Sequence, residues 1–150
     1  MTISELKEAY GALPQCAALV KAVADDNVKT IFLDGLLASS AAMLFSAVAG
    51  RVGRRTLLFI LQDADEAGYF YHDLTHTGMT DVYFFPSSYR RAVKYGQKDS
   101  ANEILRTEVL GKIAQYTGDT PLYIVTYPEA LSELVVSRQN LDDNTVTLKT

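Results

Sequence analysis

Four short apolar runs constrain this chain more than anything else in it: Lys29-Thr-Ile-Phe-Leu33, Thr56-Leu-Leu-Phe-Ile-Leu61, Asp81-Val-Tyr-Phe-Phe85 and Leu122-Tyr-Ile-Val-Thr126. Each has the length of a strand, and none alternates apolar with polar residues as a strand with one wet face does. Such runs read as strands buried on both faces, as in a parallel sheet covered by helices. Helical stretches fall between them. Asp63-Ala-Asp-Glu66 sets a capping residue three before a glutamate, after which Ala67, Phe70, Tyr71 and Leu74 recur at helical spacing until Gly78. Ser100-Ala-Asn-Glu103 repeats that capping pattern ahead of Ile104, Leu105, Val109 and Ile113, and Gly118 closes the segment. The alternation predicts right-handed crossovers and an α/β fold, a mostly parallel sheet with helices on both faces.

The two ends of the chain depart from this rhythm. Pro14 splits the first twenty-six residues into a short helix around Ser4 to Tyr10 and a second from Pro14 to Ala24, a helical leader. At the other end Leu134-Val-Val-Ser-Arg138 and Thr145-Val-Thr-Leu-Lys149 flank the polar Asn140-Leu-Asp-Asp-Asn144, the pattern of an antiparallel hairpin. A chain that stops inside a strand pattern reads as one cut from a longer protein. The expected division is a leader over 1–26, an α/β domain over 27–132 and the start of a following domain over 133–150.

Composition narrows the functions on offer. With 48% apolar and 21% charged residues the chain is neither disordered nor fibrous. Fourteen basic against eighteen acidic residues give a net charge of −4, so no global positive field draws a nucleic acid. Cys16 is the single cysteine and His72 and His76 are the two histidines, too few soft ligands for a zinc set, and Cys16 reads as a small buried apolar residue. The N-terminus lacks a secretory pattern, and the apolar stretch from Leu36 to Gly50 is broken by Ser39, Ser40 and Ser46 and is too short for a bilayer. A cytoplasmic protein without a membrane partner is expected.

In a parallel sheet ligands gather at the carboxyl ends of the strands, so the turn after the first run is the place to look for chemistry. It reads Asp34-Gly-Leu-Leu-Ala-Ser-Ser-Ala-Ala42. On the phosphate-loop pattern GxxxxGK[ST], Gly35 takes the first glycine, Ser40 the second, Ala41 the lysine and Ala42 the hydroxyl residue. The lysine neutralises the β- and γ-phosphates and the hydroxyl holds Mg²⁺, so their loss removes the reason to expect turnover. Leu122–Thr126 ends in threonine rather than a metal-binding acid. Asp34 and Asp63 read as a turn residue and a helix cap. His72 and His76 share a helix face with Asp73 but lack a third ligand, and Tyr69-Phe-Tyr71 reads as a helix face packed on the sheet.

One loop, 86–98, is strongly basic. Arg90, Arg91, Lys94 and Lys98, with Tyr89 and Tyr95 interleaved, have the composition of a nucleic-acid or partner contact, although a solvated loop on an acidic protein has it too. Two other classes of function remain open on these residues. A nucleotide- or small-molecule-binding enzyme domain needs a convergent polar cluster at the strand ends, and a receiver-like signalling domain needs an aspartate where Phe85-Pro86 stands and a lysine where Thr126-Tyr127 stands.

The segments now on the page resemble the N-terminal, UvrB-like part of the bacterial transcription-repair coupling factors, the Mfd family. The likeness rests on Asp34-Gly35 with its lost phosphate loop, Phe84-Phe-Pro-Ser-Ser88, Lys98-Asp-Ser-Ala-Asn-Glu-Ile-Leu-Arg106 and Val125-Thr-Tyr-Pro-Glu-Ala-Leu131, in this order and spacing over nearly the whole chain. The resemblance implies a RecA-like domain with a degenerate phosphate loop, followed by a smaller domain opened by the hairpin. It implies a module without catalytic residues or a bound cofactor, acting in transcription-coupled repair by recruiting UvrA, mainly through the following domain, and by restraining the parent chain. ATP and Mg²⁺ then belong to the parent's later helicase motor, which translocates on DNA and displaces RNA polymerase. The loop over 86–98 is too short for the long DNA-probing hairpin of UvrB, so that role does not carry over.

Overall fold

The computed structural model describes residues 1–89 and 98–143. In chain order these hold α1 (Ile3–Gly11), α2 (Pro14–Ala24), α3 (Ser40–Ala49), β1 (Thr56–Ile60), α4 (Ala64–His76), β2 (Val82–Phe84), α5 (Ser100–Ala114), β3 (Leu122–Thr126), α6 (Pro128–Ser132) and α7 (Arg138–Asp143).

The last apolar run becomes the middle of the sheet. β3 lies between β1 and β2 and runs parallel to both, with Thr56 opposite Leu122, Ile60 opposite Thr126, and Val82 to Phe84 opposite Tyr123 to Val125. Its five residues are all buried, which is why the run is apolar without alternation. The crossovers through α4 and α5 place helices on both faces. On one face the Phe59 ring meets Phe45 of α3 at 5.2 Å and Phe70 of α4 at 5.1 Å, and Tyr71 stacks on Phe84 at 5.4 Å. On the other, Val109 and Ile113 of α5 share a groove with Ile124 and Leu58. α5 covers β1 incompletely, so Leu58 and Ile60 are 51% and 54% exposed.

The leader packs against α3 and builds a second cluster of Cys16, Leu19, Leu44, Ala47, Val48 and Val52. Cys16 is fully buried, as its isolation predicts. Asp63 caps α4 as expected, its carboxylate accepting from the N–H groups of Asp65 and Glu66 at 2.9 and 3.0 Å. The cap of α5 is Asp99 rather than Ser100: Asp99 Oδ1 accepts from Ala101 N–H at 3.0 Å, and Glu103, the expected partner of Ser100, instead pairs with Lys98 Nζ at 2.7 Å.

Two expectations are corrected. Lys29–Leu33 forms no strand, and Phe32 is 88% exposed. The segment is held at its ends instead: the Arg55 guanidinium binds the Asp26 carboxylate and the Ala24 carbonyl before it, and Leu33 packs on the leader cluster after it. The C-terminal hairpin is absent from the described residues, because Leu134–Arg138 forms no strand and Arg138–Asp143, including most of the supposed turn, is helical. Ser137 explains this. Its carbonyl accepts from Leu141 N–H at 3.0 Å and its Oγ from Asn140 N–H at 3.3 Å, helix-starting bonds that outweigh the β-branched run before it. Thr145–Lys149 lies outside the described residues.

Candidate functional site

The turn ahead of α3 holds the residues aligned on the phosphate-loop pattern, without a strand before it. Gly35 has φ +77°, a left-handed conformation open to glycine, and its N–H donates to Asp34 Oδ1 at 2.8 Å. Ser39 stands at the N-cap of α3 without a side-chain cap bond, and the Ser40 Oγ is buried without a partner among the described residues. A cavity of about 540 Å³ opens beside this helix end. Ala38, Ser39 and Ala41 line one side of it and Glu66, Tyr69 and Asp73 of α4 the other, with no lysine or arginine in its lining. Ala42 faces away, 1% exposed within the core cluster. Of the four residues aligned on the phosphate-loop pattern, Ala41 lines this cavity, opposite the carboxylates of Glu66 and Asp73, while Ala42 is buried in the core.

The described ends of β2 and β3 hold a second polar group. Thr126 is fully buried, and its Oγ1 donates to the Phe85 carbonyl at 2.8 Å, so it is engaged in the fold. Ser87 N–H donates to Tyr127 Oη at 2.8 Å. The Glu133 carboxylate accepts from Ser87 Oγ, from Ser88 Oγ at 2.6 Å and from Ser88 N–H at 3.0 and 3.1 Å. Arg106 Nη1 lies 3.5 Å from it. Burial pushes the Glu133 carboxyl up, but the serine bonds and the Arg106 charge outweigh it and hold the group below its ordinary value. Sequence reading missed this cluster. Its one local signal is an arginine on the buried face of α5.

Of the basic loop, Arg90, Arg91, Lys94 and Tyr95 lie outside the described residues. Tyr89 and Lys98 are joined by an antiparallel bridge at its base. Lys98 is committed to Glu103, whose hydrogen bond and charge raise its pKa. The His72 and His76 rings stack at 3.8 Å, and among the described residues no group of three His, Cys, Asp or Glu forms that could hold a metal ion. Of Tyr69-Phe-Tyr71, Phe70 and Tyr71 pack on the sheet while Tyr69, 75% exposed, lines the cavity beside α3. No helix among the described residues is long and apolar enough to cross a membrane. Comparison with protein-family models, with curated proteins and with solved structures gives no match to this chain.

Proposed function

We propose that this chain is a non-catalytic, RecA-like module of the transcription-repair coupling factor kind, which restrains an ATP-driven DNA translocase and helps recruit UvrA in transcription-coupled repair. The observation that carries the reading is the cavity beside α3. Its one wall is the N-terminal end of α3, where the sequence aligns on the phosphate-loop pattern with Ala41 at the lysine position, and Glu66 and Asp73 line the opposite wall. A nucleotide triphosphate entering it would bring its negative charge against two carboxylates, with the helix end alone in its favour. A domain with that architecture and that charge suits holding and restraining rather than turnover. In this reading ATP, Mg²⁺, DNA and RNA polymerase are engaged by the parent motor, UvrA mainly by the following domain, and the protein works in the cytoplasm.

The test uses a coupling-factor motor stripped of its own UvrB-like segment. Added in trans at increasing concentration, this chain should lower the motor's ATPase rate saturably. An unchanged rate at saturating chain would count against the restraining role.

A further inference from the structure

The donors around Glu133 are fixed by contacts that do not involve Glu133. Ser88 is held through its carbonyl, which accepts from Asp99 N–H at 2.8 Å. Ser87 is held through its N–H on Tyr127 Oη, 2.8 Å, and its carbonyl on Asn102 Nδ2, 2.8 Å. Arg106 is held through Nη1, which donates to the carbonyls of Pro86 at 2.7 Å and Ala130 at 3.1 Å, while its guanidinium lies 4.2 Å from the centre of the Phe85 ring. Asn102 and Ala130 belong to α5 and α6, and Phe85, Pro86, Asp99 and Tyr127 to the residues flanking β2, α5 and β3. The occupant does not share them: Glu133 follows the short helix α6 and leads into Leu134, which is 99% exposed.

The donor set also exceeds its occupant. Arg106 is a buried side chain, 8% exposed, and its Nη2 has no hydrogen-bond partner among the described residues. A carboxylate offers two oxygens, and both are taken: Oε1 accepts from Ser87 Oγ and Ser88 N–H, and Oε2 from Ser88 Oγ and N–H. The unpaired Nη2 leaves this guanidinium, whose Nη1 lies 3.5 Å from the carboxylate, with a donor that Glu133 does not use. A buried guanidinium joined to hydroxyls and a backbone N–H recognises oxyanions generally, because charge-assisted bonds to fixed donors are the strong ones. The position agrees with this, since the carboxyl ends of parallel strands are where α/β folds receive ligands.

We infer that Ser87, Ser88 and Arg106 form an oxyanion-binding cradle at the ends of β2 and β3, filled here by the chain's own Glu133 and open to an external phosphate or carboxylate group when the segment beginning at Glu133 withdraws. Glu133 is then an intramolecular plug. Lys98 stands near the rim with its ammonium held by Glu103, so the charge that selects the ligand is that of Arg106. The inference is independent of the proposed function, and a null result in the translocase assay leaves it untouched.

Glu133→Ala in the full chain empties the cradle. Inorganic phosphate and sodium acetate are titrated in turn, against sodium chloride at matched ionic strength, following the Ser88 amide by NMR and the thermal midpoint. The variant should show a saturable Ser88 shift and a rising midpoint, phosphate acting more strongly than acetate. Wild type, whose plug competes at an effective concentration on the order of millimolar, should respond at least about tenfold more weakly. A response to acetate alone keeps the cradle and assigns it to carboxylates. Adding Ser88→Ala to the variant should abolish the response. No response beyond chloride, or one that survives Ser88→Ala, would overturn the inference. If Glu133→Ala fails to fold, Glu133→Ser, which likewise withdraws the carboxylate from the cradle, takes its place in the same titration.

Discussion

Restoring the two phosphate-loop residues, Ala41→Lys and Ala42→Thr, should cost stability without creating a nucleotide site, and the two substitutions should contribute very differently. Ala42 is 1% exposed and packs in the cluster that contains Ala67 and Leu74. Threonine adds two heavy atoms there, and overfilling a packed core costs typically about 1–3 kcal/mol. Lost helix propensity adds roughly 0.5 kcal/mol. At about 2–4 °C per kcal/mol for a domain of this size, Ala42→Thr should melt roughly 3–14 °C below wild type. Ala41 is half-buried at the cavity wall, so Ala41→Lys should change stability by about 0.5 kcal/mol or less. Its ammonium would face Glu66 and Asp73, which leaves it poorly placed to serve a triphosphate. Urea and thermal unfolding of both single variants and the double, with calorimetric titration of Mg·ATP into the double, read all of this. Wild-type stability in Ala42→Thr, or saturable micromolar binding of Mg·ATP by the double variant, would refute the reasoning.

Other consequences are open to direct measurement. Because the Glu133 carboxyl is held below its ordinary value, it contributes stability above that value, near 4.5, and loses it as pH falls through the lower folded value; Glu133→Gln should be less stable at pH 7 and show a flatter acid limb in urea midpoints, and coincident slopes would contradict this. Leu74→Ala, at a fully buried site, should cost about 2–5 kcal/mol, whereas Leu58→Ser on the bare face of β1 should stay within about 0.5 kcal/mol; comparable losses would mean that the face is covered. Stoichiometric zinc should leave the thermal midpoint unchanged, since His72 and His76 have no third ligand among the described residues, and a rise abolished by His76→Ala would show otherwise.

The sheet was legible where burial leaves a mark on composition. β3 is buried at every position because helices cover both of its faces, whereas β1 and β2 lie within their expected runs as its flanking strands and are only partly covered. Lys29–Leu33 has a similar run, yet pairing is decided by neighbours: Arg55 holds Asp26, and Leu33 joins the leader cluster, contacts that lie outside the run itself. The tail misled because β-branched residues at Val135 and Val136 speak louder locally than the single helix-starting Ser137. At the candidate site the lack of a lysine and of a hydroxyl could be read in Ala41 and Ala42, but the acids opposite could not, because they reach the cavity only through the packing of α4 beside α3. The cradle was hidden more deeply, since Ser87 and Glu133 are 46 residues apart and meet only once β2 and β3 are parallel neighbours.

Titration of the unmodified chain with Mg·ATP, followed by phosphate release under multiple-turnover conditions, tests the central claim most directly. A cavity lined by Glu66 and Asp73, with alanine where the phosphate cation belongs, should give no saturable binding and release no faster than a protein-free blank. One-to-one binding with sustained turnover would contradict the reading of this chain as a module that has kept the frame of a phosphate site and lost its chemistry.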